Sequence, residues 1–348
     1  MARTMKDANK CAFNKIINFI ESRNEFVPDG VRYFFTNDVE KDWLKNLTQI
    51  RFYRHNTKQQ IICVSLNEDN YVISIGFDFE LDSNDEIFSS IELNAGIFTY
   101  ILSETSIKLN DNIDLSQLVS FTYPFKSEDI LYKGHDFKDF IEFFDVIKIF
   151  RINSDSVLNF HDAHQLTSYL VLKSINSCLL LNYSIDTLNS FERIILNTSS
   201  GVSFENILSA ILSSSYKHCF LELYRNIEKL FPIIKLNCLY ENVEASVDFM
   251  SFWNSVDDII KWKPNEEGTL EFMLEKVSPQ TKKIIESIPD AESSTGKFIY
   301  KLRNAIVHYR LSSNKIDLSD DNWNIIIQLL SEITIEQYNF YKEKLVYV

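Results

Sequence analysis

Apolar residues recur along this chain with two different periods. In residues 8–21, Ala12, Ile16, Ile17 and Ile20 fall at helical spacing, whereas "YVISIGFDFE" (71–80) alternates, with Tyr71, Ile73, Ile75, Phe77 and Phe79 on one face. The first pattern predicts an amphipathic helix and the second a strand. "QIRFYRHNTKQQIICVSL" (49–66) predicts a hairpin that turns near His55, Asn56 and Thr57, and "IELNAGIFTYIL" (91–102) predicts a further strand. "TYPFKSEDILYKGH" (122–135) combines a proline, a glycine and mixed charges, and reads as a loop.

From about residue 155 the period is helical. Helices are predicted over 158–182, 204–212, 217–231, 242–260, 269–287, 297–311 and 319–345. Ser319 is a good N-cap for the last, and Asp320 and Asp321 suit the positive end of its dipole. The fold class expected is α+β: a mixed α/β, β-rich domain over 1–150, followed by an all-α helical bundle over 155–348.

Composition supports folded cores, since 45% of the 348 residues are hydrophobic, with 27 Phe and 16 Tyr. Gly (7) and Pro (6) are scarce, which argues against long flexible linkers. No run approaches the roughly 18 apolar residues of a membrane span, and the mixed charges of the first residues do not read as a signal peptide. Five cysteines (Cys11, Cys63, Cys178, Cys219, Cys238), far apart and never in a CxxC, suit reduced thiols and a cytoplasmic location. The formal net charge of −14 disfavours generic nucleic-acid binding, which phosphate neutralisation drives. Any RNA contact therefore needs a locally basic site.

Such a site is offered by "KFIYKLRNAIVHYR" (297–310). Ser293, Ser294, Thr295 and Gly296 supply capping residues, so a helix should begin near Lys297. At about 100° per residue, Leu302, Ala305, Ile306 and Tyr309 make an apolar face. Asn304, His308 and Lys301 lie opposite, and the long side chain of Arg303 can bend toward them. Val307 interrupts that polar side, which suggests that another helix or a second subunit covers it. A surface helix with solvated polar residues is the simpler alternative.

The segment "LRNAIVH" resembles the R-X4-6-H motif of HEPN domains in its RN-xxx-H form, with Arg303, Asn304 and His308 at the three positions. "FLELYRNIEKLF" resembles the helix that packs against this motif in HEPN proteins of prokaryotic immunity, and the likeness spans roughly 204–348. The order of parts is similar to Ape-type abortive-infection proteins, in which a β-rich domain precedes a HEPN domain. Tyr309 directly follows His308, and Arg310 stands where toxin-type members carry a tyrosine. The resemblance implies a HEPN-type bundle and a homodimeric, metal-independent endoribonuclease without cofactor. It implies cleavage of tRNA or mRNA in an antiviral growth arrest, with the N-terminal domain binding a phage trigger or regulatory protein.

The residue types suit that chemistry. Histidine, with an unperturbed pKa near ~6.5, can accept or return a proton. A guanidinium forks onto two phosphate oxygens and stabilises growing charge. Asn304 would orient the imidazole or bind phosphate. On 217–231, Phe220, Leu223, Tyr224, Ile227, Leu230 and Phe231 form an apolar stripe, while His218, Glu222, Arg225 and Lys229 form a polar one that reads as solvated. Glu228, at the apolar edge, needs a partner there, and Arg303 is one. Lys301, Arg225, Tyr309 and Arg310 are further supporting candidates, and Val307 marks the expected dimer contact. His161, Asp162 and His164 could begin a metal site, but no third ligand stands at diagnostic spacing. The competing reading is a non-catalytic dimerisation or docking module that acts through a protein partner.

Overall fold

The computed structural model describes residues 4–56, 58–124, 132–154, 156, 158, 162–174, 179–198, 201–260, 265–288, 294–308 and 316–345. It divides into two compact units, one formed by 1–166 with 173–176, the other by 167–172 with 177–348. The first runs past the boundary expected at 150 because the strand at 147–152 is paired on both sides. Among the described residues there are fifteen helices and one five-stranded antiparallel sheet, so the chain is α+β.

The first unit contains α1 (Met5–Glu21), α2 (Asp38–Asn46), β1 (Thr48–Arg54), β2 (Gln60–Leu66), β3 (Asp69–Ile75), β4 (Phe88–Ile91), α3 (Ala95–Glu104), α4 (Leu115–Phe121), α5 (Lys138–Ile141) and β5 (Ile147–Ile152), while α6 (Ala163–Lys173) spans the division between the units. The sheet order is β1-β2-β3-β5-β4. The hairpin expected over 49–66 is present, and Asn56 Oδ1 closes its turn by accepting from the backbone N–H groups of Lys58 and Gln59. Tyr71, Ile73 and Ile75 face the core as the alternation predicted, but β3 stops at Ile75. Gly76 has φ +75 and its N–H turns to the Val146 carbonyl, which ends the strand short of the expected residue 80.

Residues 95–102, read as strand, form helix α3 instead. Asn94 caps it by accepting from the Ile97 N–H at 3.0 Å, and all eight residues are buried. A continuous apolar run has no period, so only the cap distinguishes a buried helix from a buried strand. An aromatic cluster joins the helices: the Phe34 ring lies 4.6 Å from Phe13, 5.4 Å from Phe98 and 5.3 Å from Phe140. His135 sits against it, 5.1 Å from the Phe13 ring and 5.9 Å from Phe140. Its Nε2 is buried with no hydrogen-bond partner among the described residues. Burial, helped by the charge of Arg32, pushes its pKa down to about 4.

The second unit is helical: α7 (Ile185–Asn197), α8 (Phe204–Ile211), α9 (Tyr216–Asn242), α10 (Phe249–Ile260), α11 (Glu266–Glu275), α12 (Pro279–Glu286), α13 (Thr295–Val307), α14 (Asp320–Phe340) and α15 (Lys342–Leu345). Several expected boundaries move, and the helix drawn over 242–260 starts only at Phe249. Of the helix drawn over 158–182, the described residues hold α6, capped by Asp162 and ended at Ser174. The helix drawn over 269–287 is two, because Ser278 caps a new start with Pro279 at its first position. The helix expected to stop at 231 runs on through Pro232 to Asn242. Proline removes one ladder bond there, and burial of Phe231, Ile233, Ile234 and Leu236 on either side of it outweighs that loss. The Ser319 cap is present, its hydroxyl accepting from the Asn322 N–H. Helices α7 and α9 both pack on α14, and α13 packs on α11.

Candidate functional site

Helix α13 begins where its sequence predicts. Ser294 Oγ accepts from the Lys297 N–H and donates to Glu271 Oε1 at 2.7 Å, so the cap also ties α13 to α11. A Cβ on Gly296 would come within 2.9 Å of the Glu271 backbone nitrogen, so glycine permits this close helix crossing. Ile299 and Leu302 are buried and anchor the helix. Ala305 and Ile306, placed on the core face by periodicity, are only half-buried.

Leu302 therefore sets Arg303 at the edge of the packed face. The Arg303 side chain is 19% exposed, and its Nη2 donates to Glu228 Oε1 of α9 at 3.1 Å. Its Nη1 donates to Asn304 Oδ1 at 3.1 Å. The guanidinium carbon lies 5.9 Å from the centroid of the Tyr224 ring, one turn before Glu228 on α9. The Tyr224 hydroxyl donates to Glu266 Oε2 at 3.4 Å, and burial raises its pKa, which keeps it a donor. A cation is thus gripped by a carboxylate, an amide and an aromatic ring. Three of its five N–H groups are not used in these bonds.

Of the remaining expectations, His308 is the largest departure. The helix ends at Val307 rather than 311, and His308 is its C-cap, with φ −105 and ψ 90. Its backbone N–H still donates to the Asn304 carbonyl at 2.8 Å, while its side chain is exposed. Ile306 and Val307 are β-branched and incompletely buried, so neither propensity nor packing extends the last turn. Asn304 consequently bonds Arg303, and its amide is not drawn to the imidazole. Lys301 is exposed and Val307 is 46% exposed. Tyr309 and Arg310 lie outside the described residues, as does His161.

On α9 the apolar stripe is buried as expected, but the polar stripe is not simply solvated. The Glu222 side chain is only 5% exposed, and its Oε1 takes Arg225 Nη1 at 2.6 Å and His218 Nε2 at 3.1 Å. Arg225 is thereby committed to Glu222, within its own helix, and no contact with Arg303 brings it into the site. Lys229 donates to the Gly201 carbonyl at 3.0 Å. Sequence reasoning missed Tyr224 as a neighbour of Arg303, and Glu266 as the partner of Tyr224. The Tyr224–Glu228 spacing of four residues carried the signal for the first, and nothing in the sequence linked Glu266 to it. Asp162 is spent on capping α6, and no group of metal-ligating residues occurs among the described residues.

Comparison of the chain with protein-family models, with curated proteins and with solved structures finds no match. No helix among the described residues is long and apolar enough to cross a membrane.

Proposed function

We propose that the second unit is a HEPN-type helical bundle and that the protein is an endoribonuclease acting on tRNA or mRNA in an antiviral growth arrest. The observation that carries this reading is the grip on Arg303: a guanidinium pre-oriented by Glu228, Asn304 and Tyr224, with the exposed His308 at the C-cap of the same helix. A fixed guanidinium costs little to reorganise when charge grows on phosphate oxygens. The 2′-oxygen of the substrate attacks phosphorus, the bond to the 5′-oxygen breaks, and a 2′,3′-cyclic phosphate and a 5′-hydroxyl result. His308 takes the 2′-hydroxyl proton, and the partner's His308 gives one to the departing oxygen. Such transfer contributes on the order of 10²–10⁴-fold. Pairing two copies through the exposed Val307 brings the two sets together. The first unit recognises a trigger or regulatory protein.

A second reading, a non-catalytic docking module, rests on the same pair seen electrostatically. Glu228 neutralises Arg303, and Glu266 stands behind Tyr224, so a single copy offers little net positive charge at this spot.

Purified full-length protein and total tRNA, with EDTA present, separate the two. We expect cleavage with cyclic-phosphate and 5′-hydroxyl ends, no cutting of DNA, and loss of activity in His308→Ala and in monomeric Val307→Glu. Products with 5′-phosphate ends, a magnesium requirement, or an active and folded His308→Ala protein refute the nuclease reading.

A further inference from the structure

The first unit carries a cleft of about 490 Å³ between one face of α1 and the chain at 106–111. That volume lies within the range of roughly 300–1,000 Å³ typical of small-ligand pockets. Three cations line it: Lys15 from α1, Arg23 from the turn that follows α1, and Lys108 opposite. A fourth stands at the rim, because Arg54 of β1 donates to the hydroxyl of Ser106, which also lines the cleft. Two carboxylates oppose them. Asp111 pairs with Arg23 at 3.2 Å while remaining largely exposed, and Glu104 acts on Lys15 electrostatically. On a chain where acids outnumber bases 49 to 35, this reversal of sign is local and concentrated.

The cations are also held in place. Lys15 donates to the Thr105 carbonyl, which fixes its ammonium at the wall of the cleft. Arg23 lies over the Phe19 ring at 5.0 Å, so its guanidinium is stacked and retains N–H groups beyond the one given to Asp111. Burial lowers the pKa of Lys15, against the opposing pull of Cys11 and Glu104, so its ammonium is partly desolvated. Fixed, partly desolvated cations around a concave surface suit multivalent oxyanions, for which arginine offers a fork and lysine a point charge.

We infer that this cleft binds a phosphate ester of nucleotide size, contributed either by a free nucleotide or by the phosphorylated end of a nucleic-acid strand. The site belongs to the first unit and stands whether or not the Arg303 site cuts RNA.

The test is calorimetric titration of the full chain with three probes: inorganic phosphate, ADP, and a 5′-phosphorylated oligodeoxythymidylate, which has no 2′-hydroxyl to be cut. ADP or the oligonucleotide is expected to bind, more weakly as salt is raised. Tighter binding of ADP identifies the free nucleotide as the source, and tighter binding of the oligonucleotide identifies the strand end. Lys108→Glu and Arg23→Gln should each weaken that binding about tenfold, since each removes a charge-assisted contact. Lys10→Glu, an exposed position on α1 outside the cleft, makes the same change in net charge as Lys108→Glu and should leave binding unaltered. Absence of heat with every probe overturns the inference. So does equal weakening by Lys10→Glu and Lys108→Glu, which would reduce the effect to overall charge.

Discussion

If Arg303 is gripped rather than merely adjacent to Glu228, the two side chains must be energetically coupled, and the coupling can be sized. Their N–O separation is 3.1 Å, with side-chain exposures of 19% for Arg303 and 38% for Glu228. Two unit charges at ~4 Å with an effective dielectric constant of ~20 attract by about 4 kcal/mol. Water reaches more than a third of Glu228, and both side chains lose freedom, so most of that attraction is cancelled. A fully exposed pair keeps roughly 0.2–1 kcal/mol. With Arg303 largely enclosed, the expected coupling is about 1 kcal/mol. The measurement is a double-mutant cycle of Arg303→Met and Glu228→Gln by urea unfolding. In a Trp43→Phe background the three remaining tryptophans, Trp253, Trp262 and Trp323, all belong to the helical unit, and fluorescence reports on it alone. Arg303→Met should cost more than Glu228→Gln, because it also loses Asn304 and the Tyr224 ring. Non-additivity below about 0.3 kcal/mol is within the error of independent sites, and would show that the pair is fortuitous and Arg303 not pre-oriented.

Two further outcomes follow from packing and titration. Leu302→Ala, at a site only 7% exposed, should destabilise the helical unit by about 2–5 kcal/mol in the same assay, and a loss below 1 kcal/mol would mean that α13 is not anchored by this side chain. His135 has a folded pKa near 4 against an ordinary value of 6.5, so the unfolded chain binds the proton first. Stability of the first unit should therefore be fully present above pH 6.5 and fall as the pH drops toward 4, and His135→Phe should flatten that part of the profile. An unchanged slope in the variant would place the acid sensitivity elsewhere.

The parts legible in the sequence were those with a local signal. The Asn56 turn, the Ser294 and Ser319 caps and the apolar stripe of α9 each depend on residues within one or two turns, and each is present. Glu228 could be matched to Arg303 because an acid at an apolar edge needs a partner. Glu222 is buried with His218 and Arg225 of its own helix as partners, a local pairing that the polar pattern alone did not reveal as buried. Residues 95–102 gave no period to separate helix from strand. The end of α13 was misjudged because a polar and apolar alternation continued past Val307 after burial had stopped. That error matters most for the site, since it moves His308 from a helical face to a cap.

Pro232 gives α9 a property that neither of its halves has alone. Its missing N–H leaves a vacancy in the ladder four residues back, and the carbonyl there belongs to Glu228. Helices bend most easily where a rung is absent. The far half of α9 carries the Tyr240 ring, which packs 5.6 Å from Phe249 and 5.5 Å from Phe252 of α10. A shift of α10 would therefore pivot α9 at the residue that holds the guanidinium, and turn a distant push into a change of aim for Arg303.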